Sequence, residues 1–180
     1  MTIQILVMQG PSASGKTTLQ ARLGLPRVVT WTSRAPRQQE THGIHYYFAS
    51  REEMERMREE GAFLETTVYN GHLYGTPLAF FEKLLREGER RSVILDPNGA
   101  RRLKQLYPEA VLRIGIHAEE TDCRRRLLER GTAEEAERRL QTYADELAAL
   151  SECDMIIANS DEQRVSAEAI MDLLQKGLTT

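Results

Sequence analysis

Residues 10–17, Gly10-Pro11-Ser12-Ala13-Ser14-Gly15-Lys16-Thr17, fit the pattern G-x-x-x-x-G-K-[ST]. No other stretch restricts the fold as much. Two glycines let a backbone wrap an anion, so that successive N–H groups point at phosphate oxygens. Lys16 is then placed to reach the β- and γ-phosphates of a nucleotide, and the Thr17 hydroxyl to ligate Mg²⁺. The flanks agree with this reading. Ile3 to Met8 is an apolar run of the kind a buried strand shows, and Thr17 to Leu23 carries apolar residues at helical spacing. Strand, loop and helix in that order make the loop effective, because the helix N-terminus adds partial positive charge to the anion site.

A length of 180 residues suits one domain with a good core, and 41% apolar with 28% charged residues is ordinary for a soluble globular chain. The net charge of −3 argues against a nucleic-acid partner, which calls for a basic surface. Cys123 and Cys153 stand far apart without a C-x-x-C, so they read as reduced thiols rather than a disulfide framework or zinc site. Met1-Thr2-Ile3-Gln4 lacks the basic start and apolar stretch of a secretory signal. No apolar run approaches the ~18 residues that span a bilayer. The expected address is the cytoplasm, with no membrane partner; the sequence specifies no oligomeric state.

Along the chain, Gly24-Leu25-Pro26 keeps the first helix short, and Arg27 to Thr32 reads as a strand of β-branched and aromatic residues. The polar stretch 33–43 holds Arg34 and Arg37 around Pro36, two guanidinium forks on a stiffened backbone that suit a phosphate. Ser50-Arg51-Glu52-Glu53 is a capping box opening a helix that Gly61 closes, and Asn70-Gly71 marks a hairpin. Residues of about 31–87 thus form a small lobe. Ser92 to Asp96 is a buried parallel strand ending in an acid; Asn98-Gly99 is expected to break it before the next helix. Ala110–Ile116 makes another strand, helices flank Arg130-Gly131-Thr132, Asp154–Ala158 is the last strand, and an amphipathic helix runs from about Glu162 to Leu174. Alternating strands and helices predict an α/β fold with a parallel sheet covered by helices on both faces. His42, His45, His72 and His117 show no metal-ligand spacing.

The run from Thr32-Ser33-Arg34 through Arg37, Glu40, Gly43 and Tyr46 to Phe48 resembles the guanylate kinase signature T-[ST]-R-x-x-R-x-x-E-x-x-G-x-x-Y-x-F. Gly61-Ala62-Phe63-Leu64-Glu65 and Tyr74-Gly75-Thr76-Pro77 resemble the next two landmarks of that family, and Arg126–Thr132 with Glu137–Leu140 resemble its lid. The resemblance implies a single domain. It consists of a P-loop kinase core (about 1–30, 88–120 and 147–180), a lobe binding a nucleoside monophosphate (about 31–87) and a helical lid (about 121–146). It implies transfer of a phosphoryl group from ATP to GMP with Mg²⁺.

In those terms Gly10, Pro11, Ser12, Ala13, Ser14, Gly15, Lys16, Thr17, Thr18 and Asn159 bind ATP. Arg34, Arg37, Tyr46 and Tyr74 hold the phosphate of GMP, Thr30, Glu65, Thr76 and Asp96 its base, and Glu40 also belongs to the GMP site. Lys16, Arg34, Arg130 and Arg139 are the catalytic set, the arginines compensating charge on the transferring group. Glu65 has its own chemical reason: guanine presents N1–H and N2–H₂ side by side, and one carboxylate accepts from both. Where the family carries D-x-D, this chain has Ile94-Leu95-Asp96 and keeps only the second acid. Asp96 is therefore open to serving Mg²⁺ through water, the guanine, or both. Two other readings stand beside this one. A kinase for another small phosphorylated acceptor, such as a ribose bisphosphate, would give Glu65 no guanine edge to meet. A guanylate-kinase-like module that binds phosphopeptides without catalysis would lose the phosphate loop, which this chain keeps.

Overall fold

β1 (Ile5–Gln9) is buried along its whole length, as expected of a strand that meets side chains on both faces of a parallel sheet. The structure is a computed structural model describing residues 3–69 and 71–179. It divides into two compact units, one of Met1–Pro26 with Arg90–Thr180 and one of Arg27–Glu89.

In the first unit β1 lies between β6 (Arg91–Ile94) and β7 (Val111–His117), with β8 (Met155–Ala158) outside β7. All three pairings are parallel. Alternation sorts the side chains. Leu6 and Met8, with Ile114, Ile116 and Ile157, pack on Leu19 and Leu23 at α1 (Lys16–Arg22) and on Ala167 and Met171 of α8 (Arg164–Thr179). On the other side, α4 (Pro97–Leu106) lies against β1 and β7 and buries Ala100 and Leu103. Helices α5 (Glu120–Leu128), α6 (Ala133–Leu140) and α7 (Tyr143–Ala148) follow β7. They build a second cluster from Cys123, Leu127, Ala136, Leu140 and Tyr143, against which Ala13 of the loop packs. Thr132 opens α6 with a reciprocal capping box to Glu135. Where the chain leaves this unit, the Ser92 N–H donates to the Pro26 carbonyl at 3.0 Å.

The second unit is a four-stranded sheet in the order β3-β2-β5-β4: β2 (Trp31–Thr32), β3 (Tyr47–Phe48), β4 (Phe63–Tyr69) and β5 (His72–Pro77). β2 pairs parallel with β3 and antiparallel with β5, and β4 is antiparallel to β5. One face packs Trp31, Phe63 and Leu73 with Met54 of α2 (Arg51–Glu59). Gly75 sits against the Phe63 ring so closely that a Cβ there would lie 2.8 Å from it. Helix α3 (Leu78–Glu87) completes the unit.

The structure departs from the sequence-based expectations at several points. The strand expected over Arg27–Thr32 is regular only at Trp31–Thr32. Asn98-Gly99 does not break the chain but forms part of the first turn of α4. Asp96 caps that helix by accepting from the Gly99 N–H at 2.8 Å, and Pro97 supplies a preset first position. The last helix, expected from about Glu162, starts at Arg164 and runs beyond Leu174 to Thr179. α3 was not anticipated as a separate helix. At the expected hairpin Gly71 has φ of 77°, while Asn70 lies outside the described residues, as do Met1 and Thr2.

Candidate active site

The candidate residues of the phosphate loop lie in the first unit. Gly10 takes φ of 134°, and a Cβ there would fall 2.2 Å from the Ile116 carbonyl oxygen. Gly15 takes φ of 98° at the N-cap of α1, where a Cβ would meet Asn159 Nδ2 at 2.2 Å. Both positions therefore demand glycine for conformation and for space. Asn159 is buried; its Nδ2 donates to the Ser14 carbonyl at 2.7 Å and its backbone N–H to His117. It braces the loop from below. Ser14 Oγ is buried without a hydrogen-bond partner.

Lys16 Nζ donates to the carbonyls of Gly10 and Pro11 at 2.6 and 2.7 Å. Burial draws its pKa down to about 8, with Arg139 adding to the fall and Glu146 opposing it. Thr17 and Thr18 are exposed in the first turn of α1. Beside the loop is a cavity of about 330 Å³ lined by Gly15, Thr18, Arg126, Arg130 and Asn159 among others. Arg126 ties its walls together by donating to the carbonyls of Ala13 and Asn159 and to Asp161 Oδ1, at 3.2, 3.0 and 2.7 Å. Arg130 is exposed at its rim, and Arg139 on α6 lies within electrostatic reach of Lys16. Asp96 follows β6 in the same unit and is engaged as the cap of α4.

A second set of candidate residues gathers in the second unit, several of them on the sheet face opposite Phe63 and Leu73. Thr32 pairs with Tyr74, and Glu65 with Thr76. Tyr74 and Thr76, two apart on β5, therefore share that face. Thr76 is buried and its Oγ1 donates to Glu65 Oε1 at 2.6 Å; Thr67 Oγ1 donates to Oε2 at 3.3 Å. Arg34 Nη2 forks onto both oxygens of Glu40 at 2.8 and 2.9 Å, and the Arg37 N–H reaches Oε2 at 2.7 Å. That backbone bond, with the Arg34 guanidinium, holds the Glu40 carboxyl below its usual range. Arg34 also hydrogen-bonds Tyr74 and lies 5.6 Å from the Tyr46 ring centre, a cation–π distance. Burial, with the neighbouring Tyr74, pushes the Tyr46 phenol up. Ser33 anchors the segment: its N–H donates to the Leu73 carbonyl and its Oγ accepts from the Leu73 N–H. The Arg37 side chain is exposed, and Thr30 places its carbonyl on the Tyr47 N–H.

Of the residues singled out in the sequence, the structure brings Arg34, Glu40, Tyr46 and Tyr74 together, and Glu65 with Thr76. Lys16 is gathered with the loop and Arg139. Asn159 serves the loop backbone through its amide nitrogen. Sequence reasoning missed the wall-tying role of Arg126, which reads as one of three consecutive arginines on a helix. It also missed Glu146, a single glutamate in an acidic stretch.

A phosphate loop between the central strand of a parallel sheet and its first helix, with arginine-bearing helices beside it, defines the class of P-loop kinases. The sequence profile described as guanylate kinase matches residues 2–176. The chain is 41% identical over 176 residues to the guanylate kinase of Rubrobacter xylanophilus, covering 93% of this chain and 91% of that one. It is 36% identical over 177 residues to that of Desulfitobacterium hafniense, covering 94% and 88%. The crystal structure of guanylate kinase from Anaplasma phagocytophilum superposes with a TM-score of 0.72 at 26% identity, over 99% of this chain and 87% of that one. The chain belongs to the guanylate kinase family, and it is a nucleoside monophosphate kinase.

Proposed function

We propose that the enzyme transfers the γ-phosphoryl group of ATP to a phosphate oxygen of GMP, giving ADP and GDP, with the donor on the phosphate loop and the acceptor on the second unit. One observation carries the choice of acceptor. On a single sheet face, the Arg34–Tyr74–Tyr46 cluster suits a dianionic phosphate, and Glu65 lies two residues further along, paired with Thr76. Two residues of strand span roughly 6–7 Å, enough to separate a phosphate from a base. Glu65 accepts from guanine N1–H and N2–H₂, and Thr76 holds that carboxylate in place.

In the donor half, the loop N–H groups and Lys16 orient the triphosphate, while Arg130 and Arg139 compensate charge on the moving group. Among the described residues no group of three or more His, Cys, Asp or Glu is placed to hold a metal ion. The exposed Thr17 hydroxyl would hold Mg²⁺, and Asp96 would serve either that ion through water or the guanine; bound there, Mg²⁺ would supply neutralisation of phosphate charge. Thr30, Arg37 and Glu40 complete the acceptor site, Glu40 by fixing the Arg34 fork, and the enzyme acts in the cytoplasm.

The test is Glu65→Gln. An amide accepts from one guanine donor and turns its own NH₂ against the other, so kcat/KM for GMP is expected to fall roughly 100-fold while the KM for ATP holds. Normal GMP use by the variant, or a wild type that prefers ribose phosphates, would exclude the guanine assignment.

A further inference from the structure

The Ser12 N–H, one of the loop's own donors, is already taken: it donates to Glu146 Oε2 at 3.2 Å. Glu146 reaches the loop from α7, in the same compact unit. It is half-buried, and its neighbours are those of a phosphate. Lys16 and Arg139 both favour its ionised form, and the Thr142 hydroxyl hydrogen-bonds to it. Burial nevertheless pushes its carboxyl up, so the carboxylate sits there against a desolvation cost. Glu146 in turn favours the charged form of Lys16, against the larger effect of burial.

A carboxylate held by a phosphate-loop N–H and flanked by the loop lysine and a lid arginine occupies anion-binding capacity. Its position along the loop says which phosphate it competes with. Ser12 belongs to the entry side of the loop, ahead of Gly15 and Thr17 at the start of α1. Lys16 and Arg139 are the cations assigned above to the terminal phosphates.

We propose that Glu146 is a specificity-determining residue of the donor site, its carboxylate standing in for the γ-phosphate on the Ser12 N–H and giving way when a triphosphate binds. A diphosphate leaves the Glu146 contact intact. A triphosphate brings further negative charge into the same cluster and displaces the carboxylate, so Glu146 narrows the difference in affinity between ATP and ADP. After transfer the carboxylate returns to Ser12, Lys16 and Arg139 regain a counter-ion, and the diphosphate is held less tightly than bare cations would hold it. This inference rests on the phosphate loop being the ATP site.

The experiment measures Kd by calorimetry, with Mg²⁺, for ADP and for a non-hydrolysable ATP analogue in wild type, Glu146→Ala and Glu146→Gln. In Glu146→Ala the preference for the triphosphate is expected to rise at least fivefold, because both the contact and the charge are gone. Glu146→Gln keeps the size and an acceptor for the Ser12 N–H but removes the charge; its preference should rise by a smaller factor. It also carries the test alone if the alanine variant does not melt cooperatively. An unchanged preference, or an analogue bound more weakly relative to ADP, overturns the proposal and makes Glu146 a brace of the loop. A wild type that binds neither nucleotide would instead overturn the donor-site reading.

Discussion

With Lys16 in the proposed ATP site, nucleotide binding is expected to depend on pH. The pKa of Lys16 is drawn down to about 8 in the free protein, burial being the main cause, while polyphosphate favours the charged form. Below pH 8 the ammonium is already present when the ligand arrives. Above it, binding must be accompanied by protonation, so affinity falls as pH rises. The Kd for ADP should therefore hold near pH 7 and weaken about tenfold by pH 9, a range in which the terminal phosphate of ADP is already ionised. Calorimetry across that range would show a flat profile if the ammonium were not depressed. The thiols give a second expectation. Burial pushes Cys123 up to about 11 and raises Cys153 as well. Iodoacetamide at pH 8 should leave both unmodified in the native protein and alkylate both after denaturation, as read by mass spectrometry. The conformation of the loop around Lys16 is legible in the sequence because its glycine spacing is local. Glu146 meets Ser12 across 134 residues, and only the folding of α7 beside the loop discloses it.

Among the elements, α4 shows where local patterning misleads. Asn98-Gly99 carries a turn signature, yet Asp96-Pro97 starts a helix two residues earlier and absorbs the pair. The cap outweighs the turn because it satisfies an orphan N–H that a helix start would otherwise leave open. Asp96→Ala should lower stability by about 1 kcal/mol through loss of the cap. Asp96→Asn keeps an acceptor for Gly99 and should melt close to wild type. Any fall in turnover of the asparagine variant would then report the role of the carboxylate toward Mg²⁺ or guanine; equal activity would confine Asp96 to capping. In the second unit, Gly75→Ala pushes a methyl into the Phe63 ring and should cost about 1–3 kcal/mol, seen as a lower melting temperature. β1 was legible because a continuous apolar run leaves few alternatives. The short β2 was not, because β-branched composition reports a fit to a pleated surface and not the length of backbone that finds a partner.

For the whole molecule, the candidate residues divide between the two units: the loop residues, Arg130, Arg139 and Asn159, proposed for ATP, lie in one, and every candidate proposed for GMP except Asp96 lies in the other. Lys16→Ala should accordingly abolish turnover yet leave GMP able to change the fluorescence of Trp31, which stacks on Tyr47 within the second unit. Failure of GMP to perturb Trp31 in that variant would show that the acceptor half depends on the donor half. The return of buried-strand composition at Ser92 is the feature of the sequence that suggests such a division. The hydrogen bond from Ser92 to Pro26 adds something that composition could not give. The two ends left by removing residues 27–89 already adjoin each other, so the second unit is a nested cassette in the polypeptide and not a domain joined in series. A gene in which four glycine and serine residues replace that cassette should yield a protein that melts cooperatively, binds the ATP analogue and ignores GMP. Insertion or exchange of acceptor cassettes at this one seam is then a route by which a single phosphate-donor core could be given new acceptors without being rebuilt.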